Sequence, residues 1–151
     1  MSDQKGGNMK LVTRSHVHVD RVACPWLIKR FVDSDAIFLF VPTNQVLETA
    51  KRDDAIPFDA PGVELGHHDG KCSFEAIIDK YELKDKAVQR MAKIIHAADT
   101  HSFVSDAAAI GLETIAVGYS IRFPDDQENL KHQFELYDAL YVWCRLQAAK
   151  E

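Results

Sequence analysis

Three polar residues near the N-terminus, His16, His18 and Asp20, recur at every second position. In a β-strand, residues two apart project from one face, so a strand over residues 11–19 would present both imidazoles and the carboxylate together. Imidazole and carboxylate groups on one rigid surface are a typical start of a transition-metal site. The same alternation is also typical of the solvent-facing side of a half-buried strand, and both interpretations stay open.

A second group of histidines and carboxylates, His67, His68 and Asp69, lies in a loop bounded by glycines. Side chains in such a loop are free to point towards a site, although at least one of the two histidines is expected to face solvent. Glu75 follows in the predicted first turn of a helix. A carboxylate there is stabilised by the helix dipole whether or not it binds a ligand, so Glu75 alone does not decide between the two roles.

The third group is the pair His96 and Asp99, which share one face of a predicted helix because they are three residues apart. Asp99 lies in the last turn, where the negative end of the dipole disfavours a carboxylate by about 0.3–1 kcal/mol. A cation is therefore expected beside it, whether a metal ion, Arg21 or a protonated histidine. The alternative is that Asp99 ends the helix and caps the segment that follows. His132, with polar neighbours, is predicted at the surface.

The cysteines, Cys24, Cys72 and Cys144, are widely spaced and include no C-x-x-C pair. This pattern favours reduced thiols in the cytoplasm over a disulfide framework. Cys24 precedes Pro25, which suits the first turn of a helix, and Cys72 also precedes a predicted helix. A helix N-terminus lowers the pKa of a thiol, so a reactive thiolate is one interpretation; a small buried cysteine is the commoner one.

The secondary-structure elements predicted to position these groups differ between the two halves of the chain. In the first half, strands are predicted over residues 11–19, 37–41 and 55–58, and helices over residues 25–33 and 45–51. In the second half, helices are predicted over residues 73–81, from residue 86 onwards, over residues 107–123 as a central buried helix, and from residue 125 onwards. This order predicts an α+β fold in which a small mixed sheet from the N-terminal half packs on a C-terminal helical bundle.

Length and charge exclude several classes of protein. A chain of 151 residues suits one domain, predicted over residues 10–151 after a disordered tail over residues 1–9. The net charge of −5, with basic residues interleaved among acids, argues against nucleic acid as a partner. No apolar stretch approaches the roughly 20 residues of a membrane span, and no signal peptide is recognisable. A cytoplasmic protein without a membrane partner is expected.

The run from His18 to Phe31, HVDRVACPWLIKRF, resembles the opening signature of the chromate resistance protein family. That domain occurs alone, in fusions and as the C-terminal part of a chromate-responsive regulator. Three further segments are similar to later blocks of the family and extend the resemblance over nearly all of residues 10–146: residues 56–75, residues 96–99 and residues 136–143. The chain thus looks like a stand-alone member of this family.

The resemblance implies an association with bacterial survival of chromate, a form of stress response. Carried over position by position, it implies functional roles for seven residues: His18, Asp20, Arg21, Cys24, His67, Glu75 and Asp99. His16 has no counterpart in the family pattern. No segment of this sequence resembles the DNA-binding half of the regulator, so a repressor role is not carried over.

Together these observations predict a metal site at the meeting point of the first strand, the His67 loop and the His96 helix. The predicted ligands are His18, His67, Glu75, His96 and Asp99, supported by Asp20, Arg21 and Cys24. Mixed nitrogen and oxygen ligands suit iron, zinc or manganese, and their affinity should fall as the pH drops through the ordinary histidine pKa of about 6.5.

The sequence alone leaves open whether such a metal serves an enzyme of oxidative or oxyanion stress. The alternative is a non-catalytic module that binds or senses chromate or a related small anion. Arg21 and the helix N-terminus predicted near Cys24 would suit a tetrahedral oxyanion. A homo-oligomer is compatible with the sequence.

Overall fold

Three short strands in the first half of the chain form a parallel sheet. The computed structural model describes residues 8–100 and 106–151. The strands β1 (Lys10–Arg14), β2 (Ile37–Val41) and β3 (Ile56–Pro57) lie in the order β2-β1-β3. Both pairings are parallel. The predicted α+β class is confirmed, but the sheet is parallel and not mixed, because helices rather than hairpins connect its strands.

Six α-helices accompany the sheet within the described residues: α1 (Val19–Phe31), α2 (Val46–Asp53), α3 (Ser73–Lys80), α4 (Lys86–Thr100), α5 (Ala107–Arg122) and α6 (Asp126–Ala149). A 3₁₀ turn, Thr43–Gln45, leads into α2. Residues 1–7 of the predicted tail lie outside the described residues, and so does His101, a histidine whose role the sequence leaves open between surface and site. Met9 is tied to the domain, because its amide donates a hydrogen bond to the Asp33 carboxylate at 2.9 Å.

The core lies on both faces of the sheet, as the alternation of side chains along a strand requires. Leu11 packs into a large cluster that includes Trp26 and Tyr137, whereas Val12 packs into a small cluster under α2. Two hydrogen bonds from the buried side chains of Trp26 and Tyr137 join α1 to α6. The Trp26 indole donates to Asp138 at 2.7 Å, and the Tyr137 hydroxyl donates to the Val19 carbonyl at 3.3 Å.

The first strand is shorter than its sequence pattern predicts. It ends at Arg14, and His16 adopts a φ of 67°, which breaks the extended run. The amides of His16 and Val17 donate to the carboxylate of Asp126 at 3.0 and 2.8 Å, and this contact from the start of α6 fixes the turn. The prediction of one strand over residues 11–19 is therefore wrong. His16, His18 and Asp20 do not share a strand face.

Helix α1 begins earlier than predicted. It starts at Val19, so that Asp20 lies in its first turn and Pro25 lies inside the helix instead of at its start. Proline removes one hydrogen bond of a helix interior. Most of α1 is buried against the rest of the domain, which offsets that loss. The anion-binding N-terminus predicted at Cys24 and Pro25 is accordingly misplaced, because the N-terminus of the helix lies at His18.

Helix α5 does not occupy the centre of the fold. It packs mainly against α4, and its buried residues are Ala109, Leu112 and Ala116. Large apolar side chains on its other faces are exposed, among them Ile110 and Ile121. The prediction of a central buried helix is wrong, because apolar composition alone does not tell a core helix from a partly covered one. No helix among the described residues is long and apolar enough to cross a membrane.

Candidate functional site

Three aspartates surround one imidazole nitrogen at the edge of the sheet. The Nε2 atom of His67 lies 3.4 Å from a carboxylate oxygen of Asp20, 3.3 Å from one of Asp59 and 3.0 Å from one of Asp99. We call these four residues the aspartate cluster. The Asp20 and Asp59 side chains are almost completely buried, whereas the His67 side chain is 43% exposed. His67 therefore closes the cluster from the solvent side.

Each aspartate is placed by a different element. Asp20 lies in the first turn of α1 and accepts hydrogen bonds from the amides of Ser73 at 2.8 Å and Phe74 at 3.1 Å, at the start of α3. Asp59 follows β3 with a φ of 44°. Asp99 lies in the last turn of α4. The cluster thus joins the carboxyl edge of the parallel sheet to three helices, which explains why residues distant in sequence meet there.

Two arginines neutralise the cluster on its sheet side. Arg21 approaches Asp59 at 3.2 Å and also donates to the carbonyl of His16 at 2.8 Å. Arg14, the last residue of β1, lies 3.5 Å from the same Asp59 carboxylate. The cation expected beside Asp99 is therefore His67. Arg21 pairs with Asp59 instead.

The crowding of carboxylates changes the proton affinities of the cluster. The hydrogen bond with Asp20, together with the charges of Asp20, Asp59 and Asp99, raises the pKa of His67 to about 9. Burial, with the neighbouring charges of Asp20 and Asp59, raises the pKa of Asp99 to about 6. Burial also raises the pKa of Asp59. Without a metal ion, the cluster therefore holds a proton on His67 at neutral pH.

We expect Arg21→Ala to destabilise the protein by about 2–3 kcal/mol, because it leaves much of the buried Asp59 charge uncompensated. Arg30→Ala is a matched control. Arg30 pairs with Asp138 at 2.9 Å, but both side chains are at least 40% exposed, and such pairs contribute about 0–1 kcal/mol. Urea unfolding at pH 7 measures both. Equal losses of unfolding free energy in the two variants would show that the Arg21–Asp59 pair contributes no more to stability than an exposed ion pair does.

A second group, formed by Cys72, Glu75 and His96, lies where α3 begins and α4 passes. The Nδ1 atom of His96 lies 2.8 Å from Glu75 Oε1, which also accepts the Cys72 amide at 2.9 Å. Within the described residues, two sets of three side chains offer ligand atoms that all lie within 4.8 Å of one another. One is this group, and the other is Asp20, His67 and Asp99.

The structure thus divides the five predicted ligands among three places. His67 and Asp99 meet in the aspartate cluster, and Glu75 and His96 meet in the second group. His18 belongs to neither, because its Nε2 atom pairs with Glu113 of α5 at 3.0 Å. This separation follows from the early start of α1, which places His18 at the N-cap and not on a strand face beside Asp20.

Burial raises the pKa values of all three thiols. Cys24 lies inside α1, where its Sγ atom donates to Asp20 at 3.4 Å, and burial raises the pKa of this thiol well above its ordinary value. Burial likewise raises the pKa of Cys72. All three cysteines are buried and unpaired. Of the two interpretations of Cys24, the thiolate with a lowered pKa is wrong, because the residue lies inside α1 and not at its terminus; the commoner one, a small buried cysteine, agrees with the structure.

Two of the remaining histidines face solvent. His68 contacts the Glu64 carbonyl at 2.6 Å, and His132 stacks on Phe123 with 4.1 Å between ring centroids. Sequence reasoning missed three participants of these sites, Arg14, Asp59 and Glu113, and it did not count Cys72 among the metal ligands. For Asp59 a signal existed, since it directly follows the predicted strand over residues 55–58, and the carboxyl edge of a parallel sheet is a usual place for ligand-binding residues.

The fold and the two groups define a small α+β domain with a carboxylate-rich candidate site at the carboxyl edge of a parallel sheet. The sequence model of the family described as ChrB, C-terminal domain, matches residues 11–144. The chain is also 37% identical over 133 residues to Protein ChrB of Cupriavidus metallidurans, an alignment that covers 86% of this chain. The chain therefore belongs to the ChrB C-terminal domain family.

This membership confirms the predicted relation to the chromate resistance protein family and associates the chain with chromate resistance. The alignment covers 39% of the length of the Cupriavidus metallidurans protein. No solved structure matches the chain.

Proposed function

We propose that this domain binds a divalent transition-metal ion in the aspartate cluster and that the resulting metal centre serves chromate resistance. The observation that carries the proposal is the convergence of three carboxylates on one imidazole nitrogen, at 3.0–3.4 Å. Burying three carboxylates together is unfavourable unless cations compensate them. An ion at this point would replace the proton that His67 otherwise holds.

The donor set of the cluster fits such an ion. Asp20, His67 and Asp99 would supply two carboxylate oxygens and one imidazole nitrogen, with Asp59 adjacent. Oxygen and imidazole ligands suit manganese, iron or zinc. The hydrogen bonds that Asp20 accepts from the start of α3 would orient it, as groups behind a ligand commonly do. When bound, the ion would supply Lewis-acid or redox chemistry for a stress-response reaction.

The competing function, a module that binds chromate or a related oxyanion without a metal, has weaker support. Its predicted anchor, Arg21, already contacts the carboxylate of Asp59 and the carbonyl of His16. Asp20 lies in the first turn of α1. Its backbone donates a hydrogen bond to the carboxylate of Asp99, so a second carboxylate lies at the same helix end. Two carboxylates at this helix end disfavour an anion there.

Manganese is the sharpest probe of the aspartate cluster, because this hard ion prefers oxygen ligands to thiolate. We expect metal-stripped protein without a histidine tag to bind about one equivalent of Mn²⁺, measured by calorimetry and by the loss of the free-ion signal in electron paramagnetic resonance. Protein that binds no Mn²⁺, Fe²⁺ or Zn²⁺ but gives saturable heats with chromate would overturn the metal proposal and favour the oxyanion module.

A further inference from the structure

The group formed by Cys72, Glu75 and His96 has different donor chemistry from the aspartate cluster. It offers one sulfur, one oxygen and one nitrogen, and these three atoms lie within 4.8 Å of one another. We propose that this group is a separate site for a borderline divalent ion of the zinc class, independent of the ion in the aspartate cluster. Thiolate with imidazole and carboxylate is a ligand combination that zinc accepts.

The local structure of α3 holds two of the three ligands in place. Cys72 is the N-cap of α3, and its Sγ atom accepts the amide of Glu75, while the Glu75 carboxylate accepts the amide of Cys72 at 2.9 Å. This reciprocal pair is a capping box, which fixes both side chains at the first turn of the helix. His96 reaches the same carboxylate from α4 at 2.8 Å. The three ligands are therefore assembled before any ion binds.

The spacing of the ligand atoms suits a tetrahedral ion. Zinc–sulfur bonds of about 2.3 Å and zinc–nitrogen or zinc–oxygen bonds of about 2.0–2.1 Å place tetrahedral ligand atoms roughly 3.2–3.8 Å apart. Within the group, all ligand atoms lie within 4.8 Å of one another, and the His96–Glu75 pair, at 2.8 Å, would open to reach this range. The ion would take the place of the proton shared by that pair and of the proton on the buried Cys72 thiol.

Three protein ligands leave one tetrahedral position for water or another small ligand. The Cys72 side is closed, whereas the Glu75 and His96 side chains are 28% and 33% exposed. Glu75 also borders a cavity of about 270 Å³ that is lined in addition by Lys71 and Lys93. Lysines beside a metal ion favour an anionic ligand at the open position, although Lys71 also pairs with Asp79.

Cobalt reports this site directly, because a thiolate bound to Co²⁺ gives a charge-transfer band in the near ultraviolet. We expect metal-stripped protein titrated with Co²⁺ to develop this band and to saturate it at about one equivalent of thiolate-bound ion. Cys72→Ser should abolish the band. Cys144→Ser is the matched control, since Cys144 is equally buried but lies on α6 and belongs to neither group, and it should keep the band.

Two further variants keep the test decisive. If Cys72→Ser does not fold, His96→Gln should lower the Co²⁺ affinity of the band at least about tenfold, as the loss of a direct ligand should. His67→Ala should leave the band unchanged, whether or not the aspartate cluster binds metal. The absence of a band in the unmodified protein, its persistence in Cys72→Ser, its loss in Cys144→Ser or an unchanged affinity in His96→Gln would each overturn the second site.

Discussion

Replacement of His67 or Asp99 by alanine is expected to lower the Mn²⁺ affinity of the domain by about 100-fold or more. Groups that only orient a ligand already change metal affinity by about 10–100-fold, so removal of a direct ligand should reach at least the upper end of that range. Both side chains reach the same point, at 3.0 Å from each other. Calorimetric titration with Mn²⁺ at fixed pH measures the effect.

Two histidine variants serve as controls for this result. His132 is exposed and stacks on Phe123, so His132→Ala should bind Mn²⁺ as the unmodified protein does. His18 is more informative, because its sequence pattern predicts a ligand and the structure pairs it with Glu113. His18→Ala should therefore also retain the ion. Loss of Mn²⁺ from His18→Ala together with its retention in His67→Ala would mean that the aspartate cluster is not the site.

Part of this site, the cation beside Asp99, can be predicted from local electrostatics alone. A carboxylate in the last turn of a helix needs a positive partner, and this argument gave Asp99 a cation from its position alone. In the structure that cation is His67, which lies in the glycine-bounded loop. Asp99 also accepts a hydrogen bond from the backbone of Asp20 at the start of α1. Helix periodicity and end signals likewise located α3, α4 and α6, because those signals lie within each element.

What the sequence could not supply depends on contacts between distant segments. The alternation around His16 and His18 is as good a strand pattern as that of β1, but Asp126, 110 residues from His16, binds the turn that ends the strand. Asp59 enters the cluster only because β3 pairs in parallel with β1, and no local pattern gives that strand order. Errors of this kind arise where tertiary contacts override local preference.

The metal-free protein is expected to lose about 2 kcal/mol of stability between pH 5.5 and pH 9. The pKa of His67 is about 9 in the folded protein, against about 6.5 in the unfolded chain, so its contribution is complete below pH 6.5 and is lost as the pH rises through 9. The pKa of Asp99, about 6 when folded, is also raised, and its contribution is lost as the pH rises through 6. The expected loss of stability is smaller than the pKa shifts alone would give, because the His67 side chain is 43% exposed and solvent screens its charge.

Urea unfolding at constant ionic strength, in the presence of a chelator, tests this trend. His67→Gln should flatten the stability curve between pH 7 and 9, and Asp99→Asn should flatten it near pH 6. The surface carboxylates Asp53 and Asp138 have lowered pKa values, so their contribution is already complete above about pH 5 and does not oppose the trend. A metal-free protein whose stability rises from pH 5.5 to pH 9 would contradict the assigned proton on His67.

The affinity of the aspartate cluster for Mn²⁺ should rise over the pH range in which the metal-free protein loses stability. Binding at the aspartate cluster requires neutral His67 and ionised Asp99, so protons compete with the ion. With a His67 pKa of about 9, the affinity should rise roughly tenfold between pH 7 and pH 8, whereas a ligand with an ordinary histidine pKa near 6.5 would give almost no change over that interval. Mn²⁺ titrations at these two pH values distinguish the cases. An affinity that levels off above pH 7 would exclude His67, as the structure places it, from the set of ligands.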